Sequence, residues 1–236
     1  MKRIFLTSMM LLVFVFACLS HSEAQMINLS PETLTYSIKK FGMTAGEATL
    51  QYVGLMDLEG RPAIQIIFTA KGFNFYDQEK IFADPLTLLP LRVERDLNIF
   101  GKKEKIVEVY DAEHYLVKVT KYDNGKVVDE MIFERQYPID NLYCFLYRYR
   151  LNGVFEKGHG LTMFLPTKTV VFKIENKTEI HAAGKKREAW FMKSEPNEYR
   201  VWFGTDSDNL PLRIDGAIGL AKTAMILQRI EKAKID

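Results

Sequence analysis

The residues of this chain most suited to acid–base chemistry are carboxylates, and one arginine is predicted to lie opposite one of them. Asp77 and Glu79 follow a segment rich in glycine and phenylalanine, and Arg95 and Glu108 lie on two neighbouring segments of alternating polarity. Paired carboxylates can act as general acid and base, but they need a nucleophile or a metal beside them. Because neither is recognisable in the sequence, a carboxylate-based hydrolase is the least favoured of three functional hypotheses.

Motifs for cofactor and metal chemistry are absent from the sequence. It contains no phosphate-binding loop, no dinucleotide glycine fingerprint, no His-Glu-x-x-His zinc motif and no Gly-x-Ser-x-Gly nucleophile elbow. His114, His159 and His181 have no second histidine or cysteine at metal-ligand spacing. Cys144 is interpreted as a small buried apolar residue rather than a nucleophile. The sequence therefore predicts no cofactor, no metal and no catalytic residue.

Arg95 and Glu108 form the most informative pair, because a hairpin at Gly101 is predicted to place them opposite each other. Gly101 is expected at the first central position, as in a type II′ turn. Arg95 shares a strand face with Val93 and Leu97, and the other face of that strand is more polar. If the apolar face lines an interior, the pair can anchor a polar head group, since buried charges must be paired or used. The alternative is an exposed cross-strand pair contributing roughly 0.2–1 kcal/mol.

Two aromatic clusters are the other candidates for a pocket. One follows Gly72, and the other lies on a predicted helix. The functional interpretation is a lid and a plug over an apolar pocket, and the alternative is a helix packed on a sheet with a filled core. The candidate pocket residues are Arg95, Glu108, Phe73, Phe75, Tyr76, Tyr143 and Tyr147.

The elements that must position these residues are mainly β-strands. Apolar and polar residues alternate with a period of two through most of the chain, beginning with residues 34–38 and 48–52. Asn124-Gly125 predicts a type I′ hairpin between strands near 114–122 and 127–135, with Val117 opposite Ile132.

One segment departs from this alternation. Ile139, Leu142, Leu146 and Tyr149 fall at helical spacing before Gly153, which predicts one amphipathic helix over 139–151. The ambiguous segment 217–230 is taken as a final strand. The predicted fold is therefore mainly β: a curved antiparallel sheet or open half-barrel with one amphipathic helix packed on or in it.

Residues 1–24 have the organisation of an export signal. Two basic residues precede an apolar run, and Ser-Glu-Ala ends in the small-x-small pattern that a signal peptidase cleaves. The run is shorter than the roughly 20 apolar residues of a membrane span, and no second run follows. Cleavage after Ala24 would release a soluble protein. Alternatively, Val15-Phe16-Ala17-Cys18 is a degraded lipobox, and Cys18 could carry a lipid. The expected location is the periplasm, with no transmembrane segment in the mature chain.

The charge balance and the hydrophobic content of the chain limit its possible partners and its domain organisation. Lys and Arg number 32 against 30 Asp and Glu, which gives a formal net charge of +2. This balance argues against a nucleic-acid partner, which would need a basic stripe. Residues 25–236 suit a single antiparallel β domain, and 47% hydrophobic residues can supply its core. After cleavage Cys144 is the only cysteine, so no intrachain disulfide is expected.

Short motifs along the chain together resemble a family of exported bacterial proteins. They are Gly46-Glu47-Ala48, Gly72-Phe73, Leu89-Pro90-Leu91-Arg92-Val93 and Leu210-Pro211-Leu212-Arg213-Ile214. The family is domain of unknown function 3108, and the resemblance implies no activity. The strand, acidic turn and Leu-Pro-Leu-Arg pattern is distantly similar to periplasmic lipoprotein carriers of the LolA and LolB type. That similarity implies an incomplete antiparallel barrel around helices, with an apolar cavity for acyl chains.

The favoured hypothesis is an exported, non-enzymatic protein that binds an apolar or lipid-like ligand, or a lipidated partner, in a sheet-lined cavity. Burying a sixteen-carbon chain is worth on the order of 10 kcal/mol, at roughly 0.8 kcal/mol per methylene and before association costs. The alternative is an envelope scaffold with a filled core. It would bind an envelope protein partner through a sheet edge or through the aromatic loop 72–76. Whether the interior of the sheet is empty or full separates these two hypotheses.

Overall fold

The computed structural model describes residues 26–27, 29–218 and 223–233. The predicted export signal and the alternative lipid site at Cys18 lie outside the described residues. Fourteen strands and one helix are described. They are β1 (Glu32–Lys40), β2 (Met43–Leu58), β3 (Arg61–Gly72), β4 (Phe75–Ala83), β5 (Pro90–Ile99), β6 (Lys102–Asp111), β7 (Leu116–Asp123), β8 (Lys126–Glu134), α1 (Leu142–Asn152), β9 (Gly160–Phe164), β10 (Thr169–Ala182), β11 (Lys185–Glu195), β12 (Arg200–Gly204), β13 (Pro211–Asp215) and β14 (Thr223–Lys232).

All fourteen strands belong to one antiparallel sheet with the order β8-β7-β6-β5-β4-β3-β2-β1-β14-β13-β12-β11-β10-β9. Consecutive strands pair as neighbours within two meanders, and the pairing of β1 with β14 joins the meanders at the middle of the sheet. Leu34 lies opposite Ile230 and Ile38 opposite Met225 across this seam. The outermost described strands, β8 and β9, do not pair with each other. The prediction of an open antiparallel sheet is confirmed.

Helix α1 confirms the predicted helix over 139–151, although it begins three residues later. It is capped by Asn141, whose side chain accepts a hydrogen bond from the Tyr143 backbone N–H at 2.8 Å. It ends before Gly153. Eight of its 11 residues are buried, so the helix lies inside the curve of the sheet instead of covering it from outside.

Aromatic stacking between the helix and the central strands fills the middle of the fold. The Tyr143 ring stacks on Phe68 of β3 with a centroid distance of 4.3 Å, and Phe145 stacks on Phe172 of β10 at 4.6 Å. Cys144 is fully buried beside them, as the sequence predicted. The helix thus occupies the concavity of β1–β3 and β10–β14 and leaves the inward face of β5–β8 less covered.

The hairpin joining β5 and β6 has a different turn type from the predicted one. Ile99 pairs with Lys102, so the two central residues are Phe100 and Gly101. Both have positive φ, at 51° and 86°. Positive φ at both positions defines a type I′ turn and not the predicted type II′ turn.

This turn also corrects the predicted pairing of Arg95 with Glu108. Arg95 lies opposite Ile106, and Glu108 lies opposite Val93, a shift of two positions. Because side chains alternate with a period of two, an even shift leaves Arg95 and Glu108 on the same face of the sheet. The two residues are diagonal neighbours, not a direct cross-strand pair.

The turn between β7 and β8 is type I′, as Asn-Gly predicted. Asn124 and Gly125 have φ values of 50° and 76°. Val117 lies opposite Phe133 instead of Ile132, because an irregularity close to the turn shifts the register by one residue. The predicted final strand is present as β14, and residues 219–222 of that segment lie outside the described residues.

Candidate functional site

A hollow of about 420 Å³ lies between the inward face of β5–β8, the start of α1 and the loops at 165–167 and 216–217. Alternate residues of each strand face this space, since strand side chains point to the two faces in turn. The apolar part of its lining is Val93, Ile106, Val119, Met131, Phe133, Leu142 and Leu165. The hollow therefore has apolar walls, and it lies on the inward face of β5–β8, which the helix covers less than the rest of the sheet.

The floor of the hollow carries an arginine held by two carboxylates of β4. Arg95 Nε and Nη2 donate to Asp77 Oδ1 and Oδ2 at 2.8 and 2.6 Å, and Glu79 Oε1 lies 3.4 Å from Nε. Glu79 is directly opposite Arg95 in the β4–β5 register, and Asp77 is its diagonal neighbour. The sequence predicted Glu108 as the partner because only the β5–β6 hairpin was considered. The neighbouring strand β4 supplies the actual ion pairs.

Glu79 and Glu108 are both held in environments that favour the protonated form of their carboxyl groups. Burial raises the pKa of Glu79 to about 7, and the positive charge of Arg95 only partly opposes this rise. Burial also raises the pKa of Glu108. The hydrogen bond that its carboxylate accepts from the Tyr110 hydroxyl lowers this pKa but does not cancel the rise.

The Tyr143 hydroxyl is an unpaired polar group at this site. The residue is 2% exposed, and among the described residues no partner lies within hydrogen-bonding distance of its Oη. Its ring is fixed by stacking on Phe68, and Tyr143 contributes to the wall of the hollow. The Tyr143 Oη has almost no accessible surface, so a guest in the hollow would reach it only after a shift of neighbouring side chains.

The structure brings together three of the seven candidate pocket residues and places four elsewhere. Arg95, Glu108 and Tyr143 line the hollow. Tyr147 is buried against Tyr52, with a centroid distance of 5.4 Å, among the residues of the filled core. Most residues that line the same hollow were not predicted as pocket residues, and Glu79, Asn141, Met131 and Phe133 are among them. The strand alternation that identified Arg95 could have found Glu79, because both lie on inward positions of neighbouring strands.

The aromatic cluster after Gly72 does not form a lid. Phe73 is 89% exposed at the tip of the β3–β4 hairpin. Phe75 packs against the main core, and Tyr76 lines a second groove. This groove of about 650 Å³ lies on the outward side of β5 and β6 and is bordered by charged residues of both signs, including Arg92, Asp96, Lys103 and Lys105. It is larger, but the buried carboxylates and the unpaired hydroxyl lie at the inner hollow, which is therefore the better candidate site.

The described part of the chain offers neither a metal site nor a membrane-spanning helix. No group of three or more His, Cys, Asp or Glu side chains there could hold a metal ion. No helix in these ranges has the length and apolar character needed to cross a bilayer.

The raised pKa of Glu79 predicts a pH-dependent stability. Its value of about 7 in the folded protein exceeds its ordinary value of 4.5. Between these values the folded state binds a proton that the unfolded state does not bind, so stability is highest below pH 4.5 and falls as pH rises through 7. The expected contribution is at most about 3 kcal/mol. Urea unfolding at pH 5 and pH 8 should show a larger difference for the wild type than for Glu79→Gln.

Glu94→Gln is the matched control, because Glu94 lies on the outward face of β5 and pairs with the half-buried Arg92. An equal pH dependence in the wild type and in Glu79→Gln would contradict the prediction.

The sheet and its enclosed helix define a class of open, barrel-like antiparallel β-proteins. A solved structure of this class, the β-barrel-like protein of domain of unknown function DUF1849 from Brucella abortus, has a TM-score of 0.53 to this chain. The two are 8% identical, and the alignment covers 88% of this chain and 100% of that one. At this identity the similarity shows the fold alone.

The model of the family described as protein of unknown function (DUF3108) matches residues 33–225, and the chain belongs to that family. This confirms the resemblance carried by the short sequence motifs. No curated protein matches the chain.

Proposed function

We propose that this protein is an exported, non-enzymatic binding protein of the periplasm that takes an amphipathic, lipid-like ligand into the hollow. One observation carries the proposal: a space of about 420 Å³ has apolar walls and a polar floor formed by Arg95, Glu79 and Glu108. Apolar walls with a few convergent polar groups are the usual composition of a small-molecule site. The walls would hold a hydrocarbon chain, and the floor would receive a head group.

The size of the hollow limits the ligand. At about 30 Å³ per water molecule in the liquid, 420 Å³ corresponds to roughly fourteen waters. A ligand of about that many non-hydrogen atoms fits, which is a medium-length chain with a small head group. Burying eight methylenes would contribute about 6 kcal/mol before association costs. Such a ligand is smaller than the sixteen-carbon chain considered from the sequence.

Two observations favour the filled-core alternative: the helix fills the middle of the fold, and the edge strand β8 is open. Its Val127, Val128 and Ile132 are exposed, and the strand has a free edge among the described strands. A free strand edge can accept a partner strand. An envelope protein that adds a strand to β8 is therefore the second candidate function, and it does not require the hollow.

Filling the hollow is the direct test of ligand binding. We expect Met131→Trp to weaken the binding of a dodecanoyl probe, whose fluorescent label would remain outside the hollow, by at least about tenfold, because the indole would occupy the space of the chain. Fluorescence titration measures the affinity. Val128→Trp, on the same strand but 61% exposed and outside the hollow, is the matched control and should bind like the wild type.

Mass spectrometry of gently purified wild-type protein provides a second measurement, with a co-purifying amphiphile as the expected result. Absence of saturable probe binding by the wild type, or equal affinities for the two tryptophan variants, would rule out the hollow as the binding site.

A further inference from the structure

Three consecutive hairpin tips at one end of the sheet each present an exposed phenylalanine. Phe41 joins β1 to β2, Phe73 joins β3 to β4, and Phe100 joins β5 to β6, and their exposed fractions are 77%, 89% and 76%. Because these six strands are neighbours in the sheet, the tips form a row with about 10 Å between adjacent hairpins. The Phe100 backbone N–H donates to the Asn74 carbonyl at 2.8 Å, which links two of the tips.

The backbone of these turns does not favour phenylalanine. Phe41 and Phe100 both have a φ of 51°, in the left-handed region that bulky residues rarely adopt. The equivalent position of the β7–β8 turn holds Asn124, which is the residue type preferred in type I′ turns. Turn stability therefore does not explain the two aromatic residues, and neither packs into the core.

The charge around the tips has one sign. Within three residues of the three phenylalanines there are five lysines and no aspartate or glutamate: Lys39, Lys40, Lys71, Lys102 and Lys103. The turns at the opposite end of the same strands carry Glu59, Asp84 and Glu113 instead. The three phenylalanine-bearing tips are therefore basic, whereas other turns at the same end of the sheet carry Asp123 and Glu198.

We propose that this row of phenylalanines and lysines docks the protein on a lipid surface with anionic head groups. Exposed aromatic side chains enter the interfacial layer of a bilayer, and each neighbouring lysine is attracted by anionic lipid phosphates. A folded protein partner would require a continuous interface of about 800 Å² per side. Isolated side chains about 10 Å apart suit a deformable lipid layer better.

The orientation of the hollow agrees with this docking. Several residues of its wall lie in loops at the same end of the sheet as the three phenylalanines: Leu165, Pro166, Thr167, Tyr199, Gly216 and Ala217. A docked protein would therefore turn this part of the hollow toward the lipid. The docking itself does not depend on the ligand proposed above.

Vesicle sedimentation tests the proposal. The chain from Gln25 onward contains all the described strands and the helix, and it lacks the apolar N-terminal run that would bind lipid by itself. We expect it to sediment with vesicles of phosphatidylcholine mixed with phosphatidylglycerol, and much less with phosphatidylcholine alone or at high salt. The triple variant Phe41→Asn, Phe73→Ser, Phe100→Asn should bind at least about tenfold more weakly.

The variants are chosen so that unfolding cannot account for a loss of binding. Asparagine suits the left-handed positions 41 and 100, so the melting temperature should be unchanged or higher. Tyr115→Asn, at a left-handed position of the opposite end, is the matched control and should sediment like the wild type. Met131→Trp should also sediment normally, which separates this proposal from ligand binding. Failure of the wild type to bind anionic vesicles, or equal binding by the triple variant, would overturn the proposal.

Discussion

Replacing Arg150 with methionine is expected to lower the free energy of unfolding by about 3–5 kcal/mol. Arg150 lies in the last turn of α1, and its side chain is 3% exposed. Its guanidinium pairs with the fully buried carboxylate of Glu32 on β1, and its Nε donates to the Asp208 carbonyl at 2.7 Å. Without the arginine, Glu32 would remain as an uncompensated buried charge. Urea unfolding followed by tryptophan fluorescence measures the loss.

Two further variants separate the buried pair from a general effect of losing an arginine. Arg148→Met removes a second helix arginine, whose pairing with Asp140 is more exposed, and should cost less. Arg150→Met combined with Glu32→Leu should recover most of the lost stability, because replacing both partners removes the unpaired charge. Equal losses for Arg150→Met and Arg148→Met would show that burial of the pair is not the cause.

This pair explains how the helix is held at the seam of the sheet. β1 lies between β2 and β14, where the two meanders meet, and Glu32 is its first residue. The ion pair fixes the C-terminal turn of α1 at this seam, while the Asn141 cap fixes its N-terminal turn beside the hollow. Both ends of the helix are therefore held by specific polar contacts, which keeps the start of α1 in place as one wall of the site.

Local patterns in the sequence predicted the strands and the helix well. Alternation with a period of two identified the strands, and the spacing of Ile139, Leu142 and Leu146 identified the helix, because each pattern reports which side chains are buried. Asn124-Gly125 predicted its turn type, since both residues tolerate positive φ. Phe100-Gly101 did not, because one glycine fits either central position and nothing local indicates that Phe100 adopts the left-handed region.

Contacts between segments that are distant in the chain could not be predicted from local sequence patterns. The pairing of β1 with β14 joins segments almost 200 residues apart, and neither strand carries a local signal for its partner. The ion pair between Arg95 and Asp77 required the register of β4 against β5, which no short turn of predictable type fixes. Phe73 was predicted in a pocket because its apolar character gives no information on whether a hairpin tip points inward.

Replacing Arg95 with methionine is expected to cost about 3 kcal/mol of unfolding free energy, with a larger loss at pH 8 than at pH 5. Its guanidinium makes two hydrogen bonds to Asp77, whose side chain is 2% exposed, and lies beside Glu79. Without that positive charge the pKa of Glu79 should rise further, because burial and the neighbouring carboxylates would then be opposed only by the hydrogen bond from Asn141. A carboxylate forced to ionise at pH 8 without a partner destabilises the fold more than one that stays protonated at pH 5. Urea unfolding at both pH values measures the difference.

Arg92→Met is the control for this prediction, since Arg92 lies on the outward face of the same strand and pairs with the half-buried Glu94. Its loss should be below about 1 kcal/mol and the same at both pH values. Arg95→Lys keeps the charge but not the two parallel hydrogen bonds, so its cost should be intermediate. A pH-independent loss in Arg95→Met would mean that the arginine is not coupled to the ionisation of Glu79. In that case the floor of the hollow would not be the coupled charge cluster that the proposed head-group site requires.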